Sequence, residues 1–245
     1  MTTVLEIGEQ LIAPEELMTL LAQYQMLPQL AREILIDRAI AKVDCTPEEK
    51  AAAKEQFLQQ NKLTPPALEA WMQQNGMTSE QFEHLVTRNL RIEKFKQDTW
   101  GNKIESYFLT RKSQLDRVVY SLIRTQEQGI AQELYFRIKE GEQPFSELAR
   151  EYSQGSEAQT GGLIGPVELN VPHPQLAKML TASQPGQLWH PTRMGNWLVI
   201  VRLEKFMAAQ LDDPMRARLL KELFELWLQE QFKEQVSIRT LDANP

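Results

Sequence analysis

The hydrophobic period of this chain switches twice, from helical to strand-like after Ser113 and back to helical at Asp212. That double switch divides it into a helical part, a mixed strand-and-helix part and a returning helix. From Pro14 to about Phe108 the start signals are those of helices. Thr46-Pro47-Glu48-Glu49 places Thr at an N-cap, Pro at the first helical position and Glu three residues on, the pattern of a capping box. Thr64-Pro65-Pro66 opens the next helix and Gly76 stops it. Thr78-Ser79-Glu80-Gln81 is a further box, leading into Phe82, Leu85, Val86 and Leu90 at three- and four-residue spacing. Pro28 must break or kink the first helical stretch, because it lacks an N–H and clashes with the preceding turn.

After Ser113 the β-branched and aromatic run Arg117 to Ile123 reads as a strand. Thr125 is expected to cap a helix running to Glu140, with Gly141 as its stop, and Phe145 to Glu151 to form a shorter helix. Gly161-Gly162 leads into a strand over Leu163 to Val167, Pro174 to Thr181 forms a short helix, and Pro185-Gly186 is a turn. The last strand, Asn196 to Phe206, is apolar on both faces in its first half, so something must cover each side. At Asp212-Asp213-Pro214 helix returns, and Leu219, Leu223 and Trp227 repeat beside Leu220, Phe224 and Leu228. A solitary helix cannot bury so wide a stripe, and the N-terminal helices are the nearest surface for it. The expected domains are 1–113, 114–207 and 208–245, the last packing back on the first.

Composition narrows the function classes. In 245 residues, 33 acidic and 27 basic side chains give a net charge of −6, which suggests neither a nucleic-acid footprint nor an anionic-membrane surface. The lone Cys45 cannot build a disulfide framework or a thiolate metal cluster, and reads as a structural thiol. No Lys or Arg precedes Arg32, while Glu6, Glu9, Glu15 and Glu16 fall where a secretory signal would carry its charged and apolar regions. The expected compartment is therefore the cytoplasm, with signal-independent export left open. No apolar run is long enough for membrane insertion. The sequence contains no His-x-x-x-His, Cys-x-x-Cys, Gly-x-Ser-x-Gly or glycine-rich phosphate loop before a helix, so no cofactor and no metal are expected.

The order strand, helix, helix, Gly-Gly, strand, short helix, turn, strand resembles a parvulin-type prolyl isomerase. Phe145-Ser146-Glu147-Leu148-Ala149, Tyr152-Ser153, Gly161-Gly162-Leu163-Ile164-Gly165, Pro185-Gly186 and Gly195 carry the resemblance. Arg32-Glu33-Ile34-Leu35-Ile36-Asp37-Arg38 and the capped helices after it are similar to the N-terminal domain of SurA-type chaperones, in which a helix after the isomerase domain packs back on the N-terminal helices. The implied fold class is α+β: a small antiparallel four-stranded parvulin-like sheet with helices, plus an all-α SurA-like domain completed by the C-terminal helix. The implied function is that of a folding helper acting on unfolded or extended, Pro-containing polypeptide, with no nucleic-acid partner.

Turning an X-Pro amide means crossing a barrier of about 18–20 kcal/mol without covalent chemistry, by binding the twisted amide better than the planar one. Parvulins use two histidines flanking a Cys or Asp, with a Met and a Phe forming the proline pocket. The resemblance places the first histidine on Tyr120, the Cys or Asp on Gly155 and the second histidine on Trp197, so all three polar roles are lost. The pocket Met falls on Pro172, the Phe on Leu176 and the aromatic before Gly195 on Met194. These stay apolar. The expected substrate-binding residues are Tyr120, Leu122, Tyr152 and Leu163 with Pro172, Leu176, Met194 and Trp197. Gly155 reads as a turn position, while His84, His173 and His190 fall outside the matching positions. Tyr120 and Trp197 read either as aromatics packed across strands or as walls of an apolar groove. Met18, Met26, Met72 and Met77 read as core filling or as an adaptable client surface. Three functions fit: a client binder with weak or absent isomerase activity, an active isomerase with an apolar cleft, and an interaction module for one peptide partner.

Overall fold

The computed structural model describes residues 5–239. Two compact units divide the chain at 104/105 and 215/216, where the change of hydrophobic period marks 113/114 and 207/208. The first unit takes the N-terminal segment together with the C-terminal helix, and the second takes the segment between them.

The first unit opens with a hairpin, β1 (Leu5–Ile7) against β2 (Gln10–Ile12), followed by helices α1 (Pro14–Gln23), α2 (Leu27–Ile40), α3 (Pro47–Gln60), α4 (Pro65–Gln74) and α5 (Ser79–Trp100). The chain breaks helix before Pro28, which sits in the first turn of α2, where its missing N–H costs nothing. Both capping boxes form: Thr46 and Glu49 cap α3 reciprocally, as Thr78 and Gln81 cap α5. Arg91 of α5 reaches back to the end of α2 and the loop after it, donating to the Ile40 oxygen at 2.7 Å and the Val43 oxygen at 3.0 Å. This satisfies acceptors that a helix end leaves orphaned.

Helix α10 (Asp213–Gln235) supplies the second half of this core. Asp212 caps it by accepting from the Met215 N–H at 2.9 Å. Leu219, Leu220, Phe224 and Leu228 are buried, and Phe224 and Trp227 join Phe95 and Trp100 of α5 in one ring cluster with centroids 5.3–6.3 Å apart. An ion pair between Arg32 of α2 and Glu225 adds a polar tie. Of the stripe read from the sequence, Leu223 and Trp227 are half-buried and the other four residues buried.

The second unit begins within α6 (Ile104–Leu115) and contains a four-stranded antiparallel sheet in the order β4-β3-β6-β5, formed by β3 (Arg117–Thr125), β4 (Leu163–Glu168), β5 (Thr192–Met194) and β6 (Trp197–Met207). Asp116, between α6 and β3, fixes the start of the sheet. Its carbonyl accepts from Leu169 N, and its carboxylate accepts from Ala209 N and Lys112 at 2.7–2.8 Å. Helices α7 (Gln128–Glu140) and α8 (Phe145–Tyr152) follow β3, and α9 (Pro174–Thr181) precedes β5. Thr125 does not cap α7. It pairs with Leu198 as the last residue of β3, and its hydroxyl accepts from Glu127 N at 3.3 Å, so the strand runs two residues further than the local signal shows.

Both faces of the sheet are covered. Val118, Tyr120 and Leu122 of β3 join Val199, Val201 and Leu203 of β6 beneath α9. Ile123 and Ile200 turn the other way, onto Leu134, Tyr135, Phe145 and Leu148 of α7 and α8. The double-sided apolar run in β6 is the sequence trace of this sandwiching. Gly162 (φ +83°) is required by close packing, because a Cβ there would stand 2.8 Å from the Leu122 carbonyl oxygen and 2.9 Å from Ala149 Cβ.

Candidate functional site

Strand register decides which expected residues can meet. Tyr120 lies opposite Leu203 on one side and Ile164 on the other, at the centre of the sheet, and is 5% exposed. Leu122 is its same-face neighbour two residues on. Trp197 opens β6 and pairs with Met194 of β5, and both side chains, half-buried, pack on the cluster that contains Tyr120, Leu122 and Leu176. Five of the eight expected substrate-binding residues are therefore brought together: Tyr120, Leu122, Leu176, Met194 and Trp197. The rest are not. Tyr152 packs in the cluster on the other face, and Leu163 pairs with Ser121, which puts it on that other face as well, half exposed. Pro172 is not a member of the cluster; it lines an open cavity of about 600 Å³ beside α9, whose Leu169 and Ala177 walls pack on the cluster from that side. The period of two along a strand separates Leu163 from Tyr120, whatever the apolar character of both.

Gly155 is more than a turn position. Its backbone is ordinary extended chain (φ −118°, ψ 175°), so its lack of a side chain is not a conformational requirement. A methyl group there would overlap Nε and Cζ of Arg124 and Oε2 of Glu157. The space is taken by an ion pair: Arg124 Nε donates to Glu157 Oε1 at 2.8 Å while Nη2 donates to Oε2, a bidentate fork. Glu157 lies in a 3₁₀ turn over Ser156–Thr160 and its side chain is 2% exposed, against 32% for Arg124. Ser153 donates to Glu157 Oε1 at 2.6 Å and accepts from Arg124 N at 3.1 Å, and Gln154 N donates to the Arg124 carbonyl at 2.9 Å.

Arg124 and Glu157 bring to the cleft a charged pair that the resemblance does not place there. The polar roles at Tyr120, Gly155 and Trp197 are absent, but a different charged pair occupies the space beside Gly155. Arg124 is two residues beyond Leu122 and lies opposite Val199, so Trp197 is its diagonal neighbour on the same face, with the guanidinium carbon 5.9 Å from the ring centroid. The charges act on their surroundings. Burial pushes the Glu157 carboxyl up, but the hydrogen bonds from Arg124 and Ser153 outweigh it and hold the group below the ordinary carboxylate range. The hydrogen bonds that Arg124 donates to Glu157 raise its own pKa. Burial, and then the Glu157 charge, raise the Tyr120 phenol, so Tyr120 is neutral and no base at physiological pH.

Sequence reasoning missed Arg124 and Glu157. The signal available was weak: a basic residue in phase with Tyr120 and Leu122, and an acid two residues after Gly155, 33 positions away along the chain. Of the histidines, His173 accepts from Gln175 N at 3.3 Å and so caps α9, and His190 stacks on Tyr135 at 4.3 Å between centroids. Among the described residues no group of His, Cys, Asp and Glu is arranged to hold a metal ion, and no helix is long and apolar enough to cross a membrane.

Residues 121–205 match the family model of the PPIC-type peptidyl-prolyl isomerase domain, Rotamase. No curated protein matches the chain. Among solved structures, the peptidylprolyl isomerase PrsA from Bacillus cereus is 15% identical with a TM-score of 0.51, over 99% of this chain and 95% of that one. At that identity the likeness is one of fold, and it extends through the helical unit as well as the sheet unit. The parvulin domain of PpiD from Escherichia coli is 29% identical over 41% of this chain and 97% of that one, with a TM-score of 0.35. A SurA-like chaperone of Campylobacter jejuni is 14% identical over 98% of this chain and 100% of that one, with a TM-score of 0.37.

Proposed function

Because residues 121–205 form a domain of the parvulin, or PPIC-type, prolyl isomerase family, we propose that the chain is a folding helper that grips unfolded or extended, Pro-containing polypeptide and turns the X-Pro bond weakly or not at all. The observation that carries this reading is the environment of the three family positions. Tyr120 is buried in an apolar cluster, Trp197 packs on that cluster, and the space at Gly155 is filled by the Arg124–Glu157 pair. Aromatic and aliphatic walls hold a proline ring by area and shape, and they do so for the planar and the twisted amide alike. Interactions equal in the ground and transition states give affinity without rate. A buried phenol raised above its ordinary pKa does not replace an imidazole that exchanges protons near neutrality.

The test is binding of a fluorescent Pro-containing peptide to the full chain and to Trp197→Ala. Removing the ring at the open end of the cluster should weaken binding about tenfold, the loss of about 1.4 kcal/mol expected for an aromatic anchor. Unchanged affinity would show that the groove is not the client site.

A further inference from the structure

A guanidinium carries five N–H donors in one plane. Glu157 engages one edge of Arg124, through Nε and Nη2, and the planarity of the group turns the opposite edge, formed by Nη1 and the outer N–H of Nη2, away from the carboxylate. Burial is lopsided across the pair: the Glu157 side chain is 2% exposed and that of Arg124 32%, so solvent reaches the pair from the Arg124 side. Arg124 bonds Glu157, stands over the Trp197 ring and lies within electrostatic reach of Tyr120. Its aim is fixed. The backbone N–H is held by Ser153, the carbonyl by Gln154 N, and the carboxylate behind it by Ser153 again. A rigid pair of donors therefore stands beside the ring of Trp197, at the end of the cluster that contains Tyr120 and Leu176.

We propose that the open edge of Arg124 receives the carbonyl oxygen of the residue preceding the gripped proline, and that the site selects uncharged residues at that position of the client over acidic or phosphorylated ones. This rests on the reading that the slot takes the client. The selectivity comes from Glu157. Its carboxylate already balances the guanidinium charge, so a second anion brought to the far edge meets a pair of zero net charge and is drawn only by its dipole, too little to offset the anion's lost hydration. A carbonyl has a smaller hydration loss and needs only well-aimed donors. The same contact explains why gripping need not turn the bond. The carbonyl oxygen of a planar amide bears the negative charge of the resonance form, which is lost as the C–N bond twists. A donor at that oxygen holds the planar state more strongly than the twisted one, the reverse of what acceleration requires.

Two blocked fluorescent peptides, Ala-Ala-Pro-Phe and Ala-Glu-Pro-Phe, separate the possibilities when titrated with the full chain, Glu157→Gln, Arg124→Gln and Trp197→Ala. Glu157→Gln keeps the size and an acceptor oxygen for Arg124 while releasing its charge, and circular dichroism confirms that each variant is folded. Wild type should bind the Ala peptide at least as tightly as the Glu peptide. In Glu157→Gln the ratio should invert, with the Glu peptide gaining about tenfold, as a charge-assisted bond becomes available. Arg124→Gln should weaken the Ala peptide about threefold to tenfold and abolish the inversion when combined with Glu157→Gln. A ratio unmoved by Glu157→Gln, or a wild type that prefers the Glu peptide, would overturn the assignment while loss of binding in Trp197→Ala leaves the groove standing. If Trp197→Ala and Arg124→Gln both bind as wild type does, the groove reading itself falls.

Discussion

Replacing Gly155 with alanine probes the charged pair without touching it. The backbone at 155 (φ −118°, ψ 175°) suits any residue, so the new methyl costs nothing conformationally and would by itself reduce the freedom of the unfolded chain, worth about 0.4–1 kcal/mol in favour of folding. What opposes it is overlap with the Arg124 guanidinium and Glu157 Oε2, which are side-chain ends and can yield. The domain should therefore fold, with Arg124 displaced into water and Glu157 left behind, holding only Ser153. Breaking a fully buried pair costs about 3–5 kcal/mol. Since Arg124 keeps 32% of its side-chain exposure and regains hydration easily, a net loss of about 2 kcal/mol is expected. Urea unfolding of the full chain, followed by circular dichroism, measures it. In a background where Arg124 and Glu157 are both alanine, Gly155→Ala should cost less than about 0.5 kcal/mol, because nothing remains in the way. A wild-type background that tolerates the change equally well would refute the account of why glycine stands there.

Two further outcomes follow from the same structure. Glu157 titrates lower folded than unfolded, so its contribution to stability is present above the unfolded value of about 4.3 and is lost as pH falls through the folded value; Glu157→Gln should remove that part of the acid-induced decline in the urea midpoint, and an unaltered decline would exclude Glu157 as its source. Phe224→Ala should destabilise the helical unit by about 3–5 kcal/mol, because the ring is buried among Phe95, Trp100 and Trp227; a change below about 1 kcal/mol on thermal or urea unfolding would mean that α10 is not part of that core.

Local signals were legible because the interactions behind them are local. Thr46, Thr78 and Asp212 cap the helices that follow them, and Gly141 ends α7 in the left-handed conformation, each within four residues of its partner. The short helix over Pro174–Thr181 was legible to the residue. Where a choice depended on distant chain, the sequence was silent or misleading. Thr125 reads as a cap but is drawn into β3 by Leu198, 73 residues on. The three-residue strands β1 and β2 are too short to show an alternation.

The candidate site divides in the same way. Tyr120 and Trp197 were placed in one groove by the family resemblance, and the structure has them, with Leu122, in one apolar cluster. Leu163 and Tyr152 were assigned there by resemblance alone, and their register and helix face send them to the opposite layer. The pair of Arg124 with Glu157 depends on how the 3₁₀ turn folds over the end of β3, a geometry that neither residue announces.

The most direct measurement of the central claim is the rate of cis–trans exchange in a short X-Pro peptide, followed by NMR exchange spectroscopy at increasing concentrations of the full chain. A gripping domain without a transition-state cluster should broaden or shift the peptide resonances while raising the exchange rate little above the uncatalysed value. Exchange as fast as a typical parvulin gives at the same concentration would contradict it.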